Sequence, residues 1–167
     1  MDLFDLKLDE LKLRVKVIAE ELESNEISKV DEFIVNGFSY KLYFTKTFFR
    51  NCKKNKIWNT PGFLTALKNT KYGFNRETPR SIGGKDGIFV LDRYHKPKNS
   101  MQHKIFDRLI DNPDSKLKFY LRSLGLPITN TIAIRIVSHH LRLLGILVEK
   151  DSIYNLVLLD CDNEKEK

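Results

Sequence analysis

The stretch from Ser115 to Leu159 constrains the fold more than any other part of this chain. Its first segment, 116–124, predicts a helix, since its apolar residues recur at helical spacing: Leu117, Tyr120, Leu121 and Leu124. Gly125-Leu126-Pro127 ends that helix, because glycine favours the left-handed exit and proline cannot continue a helix.

A longer helix and a hairpin are predicted to follow. The helix covers about 129–144, with Thr129 or Asn130 as its N-cap and Gly145 just past its C-terminal end. The apolar runs 146–148 and 153–157 then flank a polar turn and predict two paired strands.

The order helix, turn, glycine-stopped helix and short hairpin resembles a winged helix-turn-helix DNA-binding domain. The run Leu141, Leu144-Gly145-Ile146-Leu147-Val148-Glu149-Lys150 is similar to the end of the recognition helix and the first wing strand of that superfamily. The similarity covers about a quarter of the chain, or a third if 101–112 is the first helix of the domain. It implies that the helix at about 129–144 lies in the major groove of double-stranded DNA.

A helical wheel of this segment separates an apolar face from a basic one. Ala133, Ile134, Val137, Leu141 and Leu144 fall within about 60° of one direction and predict the core face. The opposite side carries the residues that would contact bases, which are Thr131, Arg135, His139 and Arg142. Any surface helix also presents polar residues outward, so the pattern has a purely structural alternative. Ile132, Ile136 and Leu143 form a second apolar stripe that another element or subunit would have to cover.

Charge is distributed unevenly along the 167 residues, whose formal net charge is +7. Residues 1–40 carry five Lys/Arg and ten Asp/Glu, whereas residues 41–100 carry fourteen Lys/Arg and three Asp/Glu. So basic a middle favours an anionic partner, with nucleic-acid phosphate the leading candidate. Pairing with the acidic N-terminal segment inside the chain is the alternative.

Several features bear on the compartment. No apolar run reaches the roughly 18 residues of a membrane span, and the start of the chain lacks a secretory signal pattern. Cys52 and Cys161 are far apart in sequence and have no metal-ligand spacing, so we expect buried, unpaired thiols in a reduced cytoplasm. A nucleoid-associated location is expected if the source is prokaryotic.

The N-terminal region predicts an α+β arrangement. Residues 5–24 predict an amphipathic helix whose seam is Phe4, Leu8, Leu11, Val15, Ile18 and Leu22. This seam suits either packing on the chain's own core or a homodimer. Asn36-Gly37 between two apolar runs predicts a hairpin, and helices are predicted at 45–56 and 61–69, the latter from the Thr60-Pro61 cap.

Basic residues in and around this region are candidate phosphate contacts. Residues 71–99 are irregular and mix basic with aromatic side chains, a pattern that suits either nucleic-acid contact or an anchored surface loop. Lysines before the predicted turn and beside the wing complete the set. The candidates are Lys46, Arg50, Lys53, Lys54, Lys56, Arg76, Arg80, Lys85, Arg93, Lys96, Lys98, Lys116, Lys118 and Lys150.

Catalytic patterns are weak. Gly83-Gly84-Lys85 lacks the rest of a P-loop, and the histidines lack metal-ligand spacing, so we expect no metal and no cofactor. Asp86, Asp92 and Lys96 around the short strand 88–91 leave a Mg²⁺-dependent nuclease as a minor alternative.

The sequence therefore predicts an α+β protein with three parts: an N-terminal region (1–99), a winged helix-turn-helix domain (100–160) and a charged tail (161–167). The predicted function is non-enzymatic binding of double-stranded DNA, in transcription regulation or in plasmid or phage replication or partition. A winged-helix adaptor that binds another protein is the alternative. A homodimer through the 4–22 helix, or through the Ile132/Ile136/Leu143 stripe, is a further expectation.

Overall fold

The computed structural model describes residues 3–76, 88–91, 116–127, 132–138 and 141–163. They form a mixed α+β structure, which confirms the expected fold class. A 3-10 turn at Leu3–Asp5 precedes four helices: α1 (Leu8–Ser24), α2 (Lys46–Lys54), α3 (Pro61–Arg76) and α4 (Lys116–Ser123). The strands are β1 (Ile27–Val35), β2 (Phe38–Thr45), β3 (Ile88–Leu91), β4 (Ile132–Ser138), β5 (Leu141–Lys150) and β6 (Ile153–Asn163).

All six strands belong to one sheet, in the order β1-β2-β6-β5-β4-β3. Every neighbouring pair is antiparallel except β2 and β6, which run parallel. The regions 1–99 and 100–160 therefore contribute strands to the same sheet. The expected linker at 96–100, the predicted helix at 101–112 and most of the charged tail lie outside the described residues.

Turn chemistry explains both hairpins. Asn36 and Gly37 have φ of 53° and 80°, the positive values that a type I′ turn requires. Asp151 and Ser152, with φ of 52° and 65°, connect β5 to β6 in the same way. The hairpins expected at these two turns are confirmed, and so are the helices expected near 5–24, 45–56, 61–69 and 116–124. Helix α3 continues to Arg76, so the irregular structure expected from residue 71 onward is wrong for 71–76.

Two apolar layers enclose the sheet. Helices α1, α2 and α3 pack on one face, while α4 packs on the other face over β5 and β6. In α1 the seam residues Leu11, Val15, Ile18 and Leu22 are fully buried against the chain's own core. Of the two expectations for the seam, intrachain packing is therefore what the structure shows.

The prediction of a recognition helix across about 129–144 is wrong. Its described residues, 132–138 and 141–144, belong to strands β4 and β5, which pair with each other from Ile132–Leu147 to Ser138–Leu141. The segment is rich in β-branched residues, which favour strands, and an apolar run this continuous fits a helical and an extended period alike. Every residue from 141 to 148 is buried, as expected for a central strand with both faces covered.

Gly145 has a different role from the predicted helix end. It lies within β5 at a bulge, where the register to β6 shifts between Leu144 and Gly145. A Cβ at this position would lie 2.4 Å from the carbonyl oxygen of Val157. The glycine is therefore required by the close approach of two central strands.

The second apolar stripe is covered within the chain. Ile136 and Leu143 are buried in the larger core, beneath α3, which contacts both β4 and β5. Because both side chains are buried within one chain, they are not available to form a dimer surface. The side chain of Ile132 is outside the part of the chain that the structure describes.

Candidate nucleic-acid interface

Helix α2 carries the densest basic cluster among the described residues. Its start is fixed by Thr45, whose hydroxyl oxygen accepts a hydrogen bond from the Phe48 amide at 3.1 Å. Phe48, Phe49 and Cys52 are buried and hold one side of the helix on the sheet. Lys53 and Lys54 lie in the last turn, where positive charge is favourable beside the carbonyl end of a helix.

The outward side of α2 and the next turn form what we call the α2 basic surface: Lys46, Arg50, Lys53, Lys54 and Lys56. All but Lys46 are exposed, and Lys46 is half-buried, with Nζ 3.3 Å from the Glu23 carbonyl oxygen. No ion pair links these five residues to a carboxylate of the described chain. Lys53 is 5.1 Å from the centre of the Phe49 ring. The surface is therefore a concentration of uncompensated positive charge.

The turn that follows α2 is held in place from both sides. The Ile57 amide donates to the Cys52 carbonyl oxygen at 2.8 Å, and the Asn55 side-chain amide donates to the Cys161 carbonyl oxygen at 3.2 Å. Trp58 packs edge-on against Phe49, with ring centres 4.8 Å apart. A basic turn fixed in this way needs little ordering when it meets a ligand.

Cys52 and Cys161 connect α2 to β6. The two residues form a disulfide, and their Cα atoms are 5.8 Å apart. Both are buried, as expected, but the expectation of unpaired thiols is wrong. A separation of 109 residues in sequence gave no indication that the packing of α2 on β6 brings them together.

Helix α1 extends the positive surface. The Glu23 carbonyl oxygen meets Lys46 at the start of α2, and the Lys12 carbonyl oxygen accepts from the Asn59 side chain at 3.3 Å. The two helices therefore lie side by side and antiparallel. Lys12 and Lys16, both exposed, are on the part of α1 that adjoins the basic turn.

Sequence reasoning missed Lys12 and Lys16 because the first 40 residues are acidic as a whole. The signal was local: Lys12, Arg14 and Lys16 alternate in the middle of α1, away from the acidic residues near its two ends.

The lysines expected beside the turn and the wing lie elsewhere. Lys116 is on α4, on the opposite face of the sheet, 3.7 Å from a Glu26 carboxylate oxygen. The Lys150 ammonium donates to the Gly125 carbonyl oxygen at 2.6 Å, near the C-terminal end of α4. Lys118 is half-buried on α4. These three do not join the α2 basic surface.

The expected base-contacting set does not form an exposed helical face. Arg142 is only 5% exposed in the middle of the sheet, so a role in reading base edges from a helix is wrong for this residue. Arg135 belongs to β4, where it pairs with Leu144 of β5. Thr131 and His139 lie outside the described residues.

The side chains of the remaining candidate phosphate contacts and of the candidate nuclease residues are outside the described part of the chain. Arg76 is the last residue of α3, and its side chain is not described. Outside the described ranges lie the other basic candidates and the nuclease carboxylates, which are Arg80, Lys85, Asp86, Asp92, Arg93, Lys96 and Lys98.

No protein-family model, curated protein or solved structure matches the chain. Within the described ranges, no three His, Cys, Asp or Glu side chains are grouped so that they could hold a metal ion. No helix in these ranges combines the length and apolar character needed to cross a bilayer. The α2 basic surface, with Lys12 and Lys16 beside it, is the feature of the described structure with the clearest chemistry.

Proposed function

We propose that this protein binds double-stranded DNA without catalysis, through contacts between the α2 basic surface and the phosphate backbone. The observation that supports the proposal is the set of lysines and an arginine on one rigid helix and turn with no described carboxylate to neutralise them. Concentrated positive charge is costly unless an anion faces it, and the nucleic-acid backbone supplies closely spaced phosphates that clustered Lys and Arg side chains bind.

The surroundings of the surface favour a duplex over a single strand. Proteins that bind single strands stack bases on exposed aromatic rings. Here Phe49 is 7% exposed, and Trp58 is half-buried among the rings of Phe44, Phe48 and Phe63. The aromatic side chains beside the lysines belong to the core, which leaves phosphate as the group for this surface to contact.

Backbone contact alone carries no base sequence information. With Arg142 buried, we expect binding that depends steeply on salt and only weakly on DNA sequence. The role in replication, partition or transcription would then be one in which sequence preference comes from another component.

Fluorescence anisotropy with a random-sequence duplex tests the proposal. Lys53→Ala and Lys54→Ala should each weaken binding to every duplex alike and reduce the slope of log K against log salt by about one unit. Lys116→Ala is the matched control, since it removes the same charge from the opposite face of the sheet, and it should leave the slope unchanged. Equal affinities for wild type and the Lys53→Ala/Lys54→Ala double variant would refute the assignment.

A protein-binding adaptor is the second candidate. Leu13 and Val17, one turn apart on α1, are 66% and 46% exposed and form a small apolar strip beside the basic residues. Such a strip suits a partner with both apolar and acidic side chains. The absence of duplex binding even at low salt would favour this role over DNA binding.

A further inference from the structure

Strand β1 is an edge strand of the sheet, and its outer edge pairs with no other strand of the described chain. It is nine residues long. An unpaired strand edge presents a row of amide and carbonyl groups that can add another strand. Next to this edge, Ile34 is 70% exposed, the highest value among the large apolar side chains described.

A bulge in β1 changes which residues share a face. The register to β2 shifts between Lys29 and Asp31, so Val30 is an extra residue. Before the bulge Ser28 and Val30 point into the core, and after it Phe33 and Val35 do. In a regular strand, residues three apart point to opposite faces. Because of the bulge, Lys29 and Glu32 point to the same face, the one away from the larger core.

We propose that β1 pairs antiparallel with β1 of a second copy of this chain, with Lys29 opposite the partner's Glu32. That register also sets Ile27 opposite the partner's Ile34 and Ser28 opposite the partner's Phe33. In each pair both residues lie on the same face of the sheet, and the two-fold axis repeats each pair. The arrangement joins opposite charges twice and covers the exposed Ile34.

The bulge at the centre is well supported in the monomer. The Asp31 carboxylate accepts hydrogen bonds from the amides of Leu3 and Glu32. Lys29 and Glu32 already contact each other at 2.9 Å within one chain, and both side chains are about half exposed. Each is therefore positioned at the edge and accessible to a partner.

The proposed dimer does not depend on DNA binding, but it would fix how the two α2 basic surfaces are placed relative to each other. An antiparallel pairing of like faces places the two-fold axis perpendicular to the sheet, so α1, α2 and α3 of both copies lie on the same side. Helix α2 packs on β6 and β2. With strands about 4.8 Å apart, the two α2 helices would be separated by three to five strand spacings, roughly 15–24 Å, measured across the strands.

Sedimentation equilibrium of the full chain over a wide concentration range tests the pairing. Wild type should self-associate as a dimer. Lys29→Glu and Glu32→Lys should each weaken the dimer about tenfold, because each brings like charges together in both symmetric pairs. An equimolar mixture of the two variants should recover association, because both cross-strand pairs are then Glu with Lys. Neither variant chain has the opposite charges of the original intrachain pair, so recovery reports contact between chains.

Two further variants complete the design. Ile34→Lys, at an exposed position that tolerates charge in the monomer, should abolish the dimer without changing the helical circular dichroism. Glu149→Lys makes the same change of charge as Glu32→Lys on an exposed residue of β5 and should leave association unchanged.

The alternative is that the charged side chains of Lys29 and Glu32 and the bulge at Val30 prevent other strands from pairing with β1, as charges and bulges do at the edges of other sheets. In that case wild type stays monomeric at every concentration, and the proposal is overturned. It is equally overturned if the mixture associates no better than either variant alone. Loss of DNA binding with an intact dimer, or the reverse, would separate this inference from the proposed function.

Discussion

Gly145→Ala is the sharpest test of the sheet. The added Cβ would lie 2.4 Å from the Val157 carbonyl oxygen and 3.0 Å from both Cα and Cδ2 of Leu158. Two of these atoms belong to the backbone of β6, a strand paired on both sides, by β2 and β5. The clash cannot be relieved by a side-chain rotation, so β5 and β6 must separate locally.

The expected cost follows from that rigidity. Overpacking a core by a methyl group costs about 1–3 kcal/mol, and we expect the upper end, about 3 kcal/mol, because backbone has to move. Against a typical total stability of about 5–15 kcal/mol, this is a large loss.

Urea unfolding provides the measurement. Trp58, the single tryptophan, reports on the larger core through its fluorescence, and far-ultraviolet circular dichroism reports on the sheet and helices. The control is Gly62→Ala in the first turn of α3, where an added Cβ has no atom of the described part of the chain within 4 Å. It should stabilise by about 0.4–1 kcal/mol, since alanine restricts the unfolded chain. A free energy of unfolding for Gly145→Ala within about 0.5 kcal/mol of wild type would refute the close approach of β5 and β6.

Three further predictions use the same unfolding measurement. Tyr40→Phe should be neutral or stabilising by about 1 kcal/mol, because the buried Tyr40 hydroxyl has no hydrogen-bond partner among the described residues. Tyr120→Phe should cost about 1–2 kcal/mol, since the Tyr120 hydroxyl bonds to the amide and hydroxyl of Thr47. A larger loss for Tyr40→Phe than for Tyr120→Phe would contradict this. Burial raises the pKa of the Tyr40 hydroxyl, so the folded state favours the protonated form. The free energy of unfolding should therefore be independent of this group well below the ordinary tyrosine pKa of about 10 and should fall as pH rises above that value. The fall should be less steep in Tyr40→Phe, which has no hydroxyl to titrate. Thr45→Val should cost about 2 kcal/mol, because the hydroxyl both caps α2 at Phe48 and donates to the Leu158 carbonyl oxygen, and an unchanged unfolding midpoint would refute both bonds.

Local chemistry explains the elements that the sequence predicted well. The Asn36-Gly37 turn, the Thr45 and Thr60 caps and the end of α4 at Gly125 depend on residues within a few positions of one another. The amphipathic period of α1 also predicted the burial of Leu11, Val15, Ile18 and Leu22, whereas Leu8 of the same predicted seam is 45% exposed. Such signals act over one or two turns, so they are visible without knowledge of the rest of the fold.

The candidate site was predictable in part. The basic residues of α2 were recognisable from their density between apolar positions, and the structure shows four of the five exposed. The contribution of Lys12 and Lys16 depends on α1 lying antiparallel to α2, which no local pattern indicates.

The secondary structure of the segment 132–148 could not be predicted from its local sequence pattern. Its apolar residues fit a helix, and the fit suggested a basic outer face containing Arg142. Both sides of β5 are covered, by α3 on one face and α4 on the other, so the apolar pattern reflects two buried faces and Arg142 is buried with it.

The sequence by itself determined the turns, the caps, the inward faces of α1 and α2 and the excess of positive charge. Only the tertiary structure decided that 132–138 and 141–148 are extended, that β2 and β6 lie side by side and that Cys52 meets Cys161. The physical reason is that β-pairing joins backbone groups far apart in the chain. Its stabilisation therefore depends on neighbours that short-range patterns of side chains do not specify.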